Sequence, residues 1–404
     1  MISVKKQVLI SLFYFLLAAS LGILLRLFPV TDVNVTYKYI VHTHSHIALL
    51  GWVYVSLTSL IFHLFIKKEA SKRYARVFWC TQFTIIGMLV SFPITGYALF
   101  SIIFSTLFLI CTYWFYAIFR NNYSGNKANY SYKFIYTSLL FMVFSSIGPW
   151  ALGIIMTTLG NTSHWYKNAI YFYLHFQYNG WFIFCLLGIF FFVIEKNKIY
   201  FDEKIISSFY KWMVLSCIFT VFLSVLWIKP PTYIYVFALT GSTLQLLAAF
   251  KFQKIITHIK FDISKELSPF IYRLIQFVYL LFIFKILLQF ISSIPYFAEL
   301  VSQVVDFVIG YLHLIFLGLV SLCLFVFLYY FKLLKLSKIY LKIYLSGFIV
   351  SEVLIIYKGF CNWQQISIFE NYYLTLVIVS GLIPISLLGI FIQNLPKITF
   401  LSKK

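Results

Sequence analysis

Apolar runs long enough to cross a bilayer follow one another along nearly the whole chain, and they leave it few folds to choose from. A segment in hydrocarbon must satisfy its own backbone polar groups, so such runs read as helices. Twelve are expected, over 7–30, 39–66, 76–96, 97–119, 133–158, 169–194, 207–228, 231–252, 270–294, 303–331, 339–360 and 371–395. The turn between the third and fourth is very short, near Gly96. With 62% hydrophobic and 11% charged residues, no polar block is large enough for a separate soluble domain. The expectation is a single transmembrane domain over 1–404, an all-α polytopic membrane protein in the lipid bilayer. The first run has no small-residue cleavage site and reads as a retained helix.

Net charge is +21, yet the basic residues do not form a nucleic-acid patch; they lie in short connections. Lys67, Lys68, Lys72, Arg73 and Arg76 follow the second run, and Arg120, Lys127 and Lys133 the fourth. Lys196, Lys198 and Lys204 follow the sixth, Lys251, Lys254, Lys260 and Lys265 the eighth, and Lys332, Lys335 and Lys338 the tenth. Lys5 and Lys6 open the chain, and Lys397, Lys403 and Lys404 close it. The odd-numbered connections carry few positive charges. The positive-inside rule then puts both termini in the cytoplasm, in an inner (plasma) membrane. Six cysteines, without a Cys-x-x-Cys, read as small apolar residues.

Three histidines stand at alternate positions in Val41-His42-Thr43-His44-Ser45-His46, ahead of Gly51-Trp52. The tail of this stretch, His-x-x-x-x-Gly, returns as His175 to Gly180 and as His313 to Gly318. The copies fall in the second, sixth and tenth runs, so the chain reads as three pseudo-repeated four-helix units, about 7–120, 133–252 and 270–395. Internal repeats of this kind often place a site at the repeat interface. On a helix, His42 and His46 share one face and His44 points elsewhere. Neutral imidazole ligates haem iron and copper, and intramembrane histidines are usually functional. His63, His164 and His258 read as surface or interfacial residues. Lys285 and Glu352 are mid-span charges at similar depth and are expected to form an ion pair.

The stretch His44-x-His46-x-x-x-x-Gly51-Trp52 resembles the haem-ligating helix of haem-copper oxidase subunit I, especially the high-affinity C-type oxidases and the nitric oxide reductases. Val41-His42-Thr43-His44 also resembles the start of that family's second helix. The resemblance implies twelve core helices in a threefold arrangement, haem b as cofactor with copper as a further candidate, and a cytochrome or other electron-transfer subunit as partner. It implies that His42, with His46 as rival, and His313 ligate a low-spin haem. It implies that His175 is the copper-side histidine, and that a metal would draw on His44, His46, His175 and His313. Arg26, Lys38 and Lys358 stand where propionates would need cations.

The chain also departs from the pattern. The tenth run has one histidine where the family has two, with Tyr311 at the other position. Ser207 to Ile228 has none where the family has a pair. A complete binuclear centre is therefore not expected. What remains is a bis-histidine haem or a three-histidine metal site, serving electron transfer or the handling of oxygen or nitric oxide. The alternatives are a transporter or permease with a buried histidine layer, and a cofactor-free structural relative.

Overall fold

The computed structural model describes residues 2–396; Lys397, Lys403 and Lys404, expected as a closing basic segment, lie outside them. The chain is an all-α polytopic membrane protein, with twelve helices long and apolar enough to span a bilayer. They are α1 (Val4–Leu27), α2 (Tyr37–Phe65), α3 (Lys68–Thr95), α4 (Leu99–Asn122), α5 (Tyr130–Thr158) and α6 (His164–Lys196). Then come α7 (Glu203–Ile228), α8 (Thr232–Asp262), α9 (Pro269–Ile291), α10 (Val305–Tyr330), α11 (Lys338–Gln364) and α12 (Tyr372–Asn394). A short helix, Pro295–Gln303, precedes α10.

The expected spans are met within a few residues except where helices outrun their apolar stretch. Helix α3 starts at Lys68, inside the basic segment, and α8 continues past 252 through Lys254 and Lys260. No glycine or proline interrupts that extension until Pro269, whose preceding Ser268 caps α9 by accepting from Ile271 N. His258, beyond the expected span end at 252, therefore lies on the extended α8, and His164, ahead of the expected start at 169, is the first residue of α6. Both are exposed, as is His63. The α7–α8 connection is set by Pro230 and Pro231, with Lys229 at φ 51°. The Lys229 ammonium contacts Glu299 at 2.6 Å, and that hydrogen bond holds it above the usual lysine range.

The contacts divide the chain into two bodies. The first holds residues 2–108, 327–354 and 369–396; the second holds 109–326 and 355–368. In the first, α1 packs along α12 and against α2. In the second, α5 packs on α6 and α7 on α8.

One local feature recurs through both. Helices α2, α6 and α10 each carry a π-helical segment: Ile47–Tyr54, Phe176–Phe182 and Leu314–Val320. Each begins on the residue after a histidine: His46, His175 and His313. Each packs on the span before it: on α1, α5 and α9 respectively. The i→i+5 bonding of a π-helix brings the fifth residue beneath the first, and in all three that residue is the motif glycine. A Cβ on Gly51 would lie 2.7 Å from Tyr14 Cβ of α1, and one on Gly180 would lie 2.7 Å from Phe141 Cβ of α5. At Gly51 and Gly180 the neighbouring helix leaves no room for a side chain. Behind them, Trp52 and Trp181 are fully buried, Trp52 stacked on Phe15 at 4.7 Å.

Candidate functional site

In the first body, α2 presents its three histidines to two neighbours. His44 faces α1, where its Nδ1 lies 2.8 Å from Ala18 O. A carbonyl only accepts, so Nδ1 carries the proton and Nε2 holds the lone pair. Nε2 has no hydrogen-bond partner among the described residues. The ring rests on Gly22, where a Cβ would stand 3.3 Å from His44 Cε1. Arg26, one turn further along α1, acts electrostatically on His44 and on Glu352 of α11.

His42 and His46 face the other way, toward α3 and the turn after it. His46 Nδ1 donates to His42 O at 2.8 Å, so its Nε2 is the acceptor for the Tyr97 hydroxyl at 3.1 Å. The His42 ring lies edge-on to Tyr97 with centroids 4.6 Å apart, and Phe92 packs on His46 at 4.5 Å. Neither His42 ring nitrogen has a hydrogen-bond partner among the described residues.

Tyr97 owes its position to the turn that joins α3 to α4. Gly96 has φ 61° and ψ −142°, a conformation open essentially to glycine alone. A Cβ there would also strike the Tyr39 ring at 2.3 Å. Ser101 closes the turn by donating to Gly96 O at 2.7 Å and accepting from Ala98 N at 2.9 Å. The sequence marked this turn but not Tyr97. The signal was there: an aromatic hydroxyl beside a glycine, at the same membrane end as the histidines.

The second body treats its histidines differently. His175 is 1% exposed and both its nitrogens are engaged. Nε2 donates to Cys217 O at 2.9 Å, and Nδ1 accepts from Asn179 Nδ2 at 3.2 Å. It is thus the opposite tautomer from His44 and His46, and metal ligation would first have to break one of these bonds. His313 is half-buried, two residues after Tyr311, whose hydroxyl is buried without a hydrogen-bond partner among the described residues. Lys285 is 1% exposed and acts electrostatically on His175 and Cys217. Lys285 and Glu352 belong to different bodies. Lys358, expected near a propionate, is 3.1 Å from buried Asp306, which also accepts from Asn362 Nδ2 at 2.7 Å. Its charge is already matched.

Among the described residues no three His, Cys, Asp or Glu side chains converge as a metal site. None of the six cysteines is in a disulfide. The residues of α2 do meet what haem asks of an axial ligand: a neutral imidazole whose Nδ1 proton is held by a carbonyl, leaving Nε2 for iron. His44 meets it with Nε2 unoccupied and Arg26 alongside. His46 meets it with Nε2 occupied by Tyr97. No protein-family model matches the chain, and no curated protein matches its sequence.

Proposed function

We propose that this membrane protein binds haem b and serves electron transfer or the handling of a diatomic gas such as oxygen or nitric oxide. The observation that carries the reading is His44, an imidazole whose Nδ1 is held by Ala18 O and whose Nε2 is uncommitted, on a span where a histidine-led π-helical segment recurs every four spans. Such segments gather at functional sites. Each histidine lies eight to eleven residues beyond the start of its span, about 12–17 Å along the helix axis.

His44 is the α2 residue that would hold the iron, a shift from the His42 or His46 that the resemblance implies. On α10, His313 remains the histidine that the resemblance names. Arg26 supplies positive charge for a propionate, whereas Lys358 is committed to Asp306. When bound, haem provides a one-electron iron centre. The protein's part is to fix the tautomer of His44 and to keep the ring buried against α1. Copper is the weaker member of the proposal, because His175 is fully hydrogen-bonded. The loop charges support an inner (plasma) membrane location with both termini cytoplasmic.

A second reading has its own observation. The second body buries Lys285 together with Gln245 Oε1, Gln289 Oε1 and Asn179 Oδ1, and these oxygens have no hydrogen-bond partner among the described residues. A polar interior of that kind suits a transporter for an ion or small substrate.

A reduced-minus-oxidised visible spectrum with a pyridine haemochrome assay, on protein produced with ample haem, separates the two. The haem reading expects a sharp α band that His44→Ala abolishes. A flat spectrum from folded, haem-supplied protein would overturn it and leave the transporter reading to flux assays.

A further inference from the structure

We propose that His42, His46 and Tyr97 form a binding site for a divalent, borderline-soft metal ion, such as Cu²⁺ or Zn²⁺, at the α2–α3 end of the first body. It is separate from the haem reading, which rests on His44 on the opposite face of α2. Two histidines at i and i+4 on one helix face are a common metal-binding pair, and a phenolate oxygen completes a three-donor set.

The donors are already assembled. His46 Nδ1 is tied to His42 O, so the Nε2 lone pair is aimed away from the helix at Tyr97 Oη, 3.1 Å off. Two donors at that separation, each binding at about 2.1 Å, subtend roughly 95° at a shared metal, within the range that tetrahedral or square-based coordination accepts. His42 stands 4.6 Å, ring to ring, from the same tyrosine, and its nitrogens are uncommitted among the described residues.

The frame is stiff. The Gly96 conformation and the two Ser101 bonds hold the turn, and Phe92 packs against both His46 and Tyr97, at 4.5 and 4.9 Å. Rigid placement of this kind lowers the ordering cost of ligation. The way in is open as well: Tyr97 is 41% exposed, so a hydrated ion can reach the site without crossing the helix bundle. On binding, the metal–oxygen bond replaces the Oη–H bond. The phenol proton passes to solvent, both histidines stay neutral, and water fills the remaining coordination positions.

The test is titration of purified, chelator-treated, haem-free full-length protein in detergent with Cu²⁺ alone, followed by calorimetry and visible absorption. One equivalent should bind and bring up a phenolate-to-copper charge-transfer band. Tyr97→Phe should remove that band while retaining weaker histidine binding. His42→Ala and His46→Ala should each weaken binding by at least about 10–100-fold. His258→Ala, at an exposed position on α8, should change nothing. Two results would overturn the proposal: no stoichiometric binding by folded wild-type protein, or a Tyr97→Phe variant with unaltered band and affinity. Thermal melts of each variant separate lost ligation from lost folding. The readout needs no haem, so its failure and that of the haem reading are told apart.

Discussion

The chemistry available to a buried histidine depends on which ring nitrogen its neighbours have taken. His44 and His46 each give up Nδ1 to a carbonyl, and His175 gives up both nitrogens. That difference separates a residue ready to ligate from one held as part of the packing. The sequence alone placed His42 and His46 on one face of α2 and His44 on another, because the helical period requires it. It was silent on tautomers: that of His44 is set by Ala18 O, 26 residues away, and that of His46 by the carbonyl of His42, whose consequence, an accepting Nε2, is met by Tyr97 from 51 residues away. Gly22 tests the assignment. Alanine there meets His44 Cε1 at 3.3 Å, a gap the ring can yield by a few tenths of an ångström. Leucine cannot fit without driving the ring off Ala18 O. Gly22→Ala should therefore keep the wild-type haem band, and Gly22→Leu should lose or shift it with little change in thermal stability. A wild-type spectrum from Gly22→Leu would remove His44 as the ligand.

At the scale of the helix, glycine five residues after histidine was legible in the sequence as a threefold repeat. The π-helical geometry was not, because in a uniformly apolar run the spacing of hydrophobic residues carries no trace of i→i+5 bonding. The structure supplies the physical reason for the glycines: Tyr14 Cβ and Phe141 Cβ occupy the space a side chain would need. These are not the far ends of flexible side chains, so the helices themselves would have to move apart. Gly51→Ala and Gly180→Ala should each cost about 1–3 kcal/mol, the usual price of overpacking. Gly381→Ala on α12, where nothing lies within 4 Å of the added carbon, should be neutral or stabilising by up to about 1 kcal/mol through helix propensity. Detergent thermal denaturation of the three variants checks the contrast. Equal melting points for Gly51→Ala and Gly381→Ala would mean that close approach at the motif glycine does not hold α1 to α2.

For the molecule as a whole, span number and order were legible because hydrocarbon thickness fixes how much apolar sequence one helix needs. Span ends were less so where basic helices continue into the interface, as at α3 and α8, since lysine and arginine end the apolar run but are good helix formers and so do not end the helix. Orientation rests on the same basic residues. Twelve membrane crossings would put both ends of the chain on one side, and each lysine or arginine near an anionic cytoplasmic leaflet would be held there by roughly 1 kcal/mol. The connection after α4 carries Lys127 and the one after α5 carries Thr162, both exposed. With the six native cysteines replaced, Lys127→Cys in intact cells should resist a membrane-impermeant maleimide until the membrane is opened, and Thr162→Cys should label at once. That outcome puts the N-terminal ends of α2, α6 and α10, and with them the Gly96 turn, on the outer side, so that the site at His42, His46 and Tyr97 meets metal ions from outside the cell. Labelling in the reverse order would turn the protein over: the basic connections would then face outward against the charge rule, and the metal reaching Tyr97 would have to come from the cytoplasm.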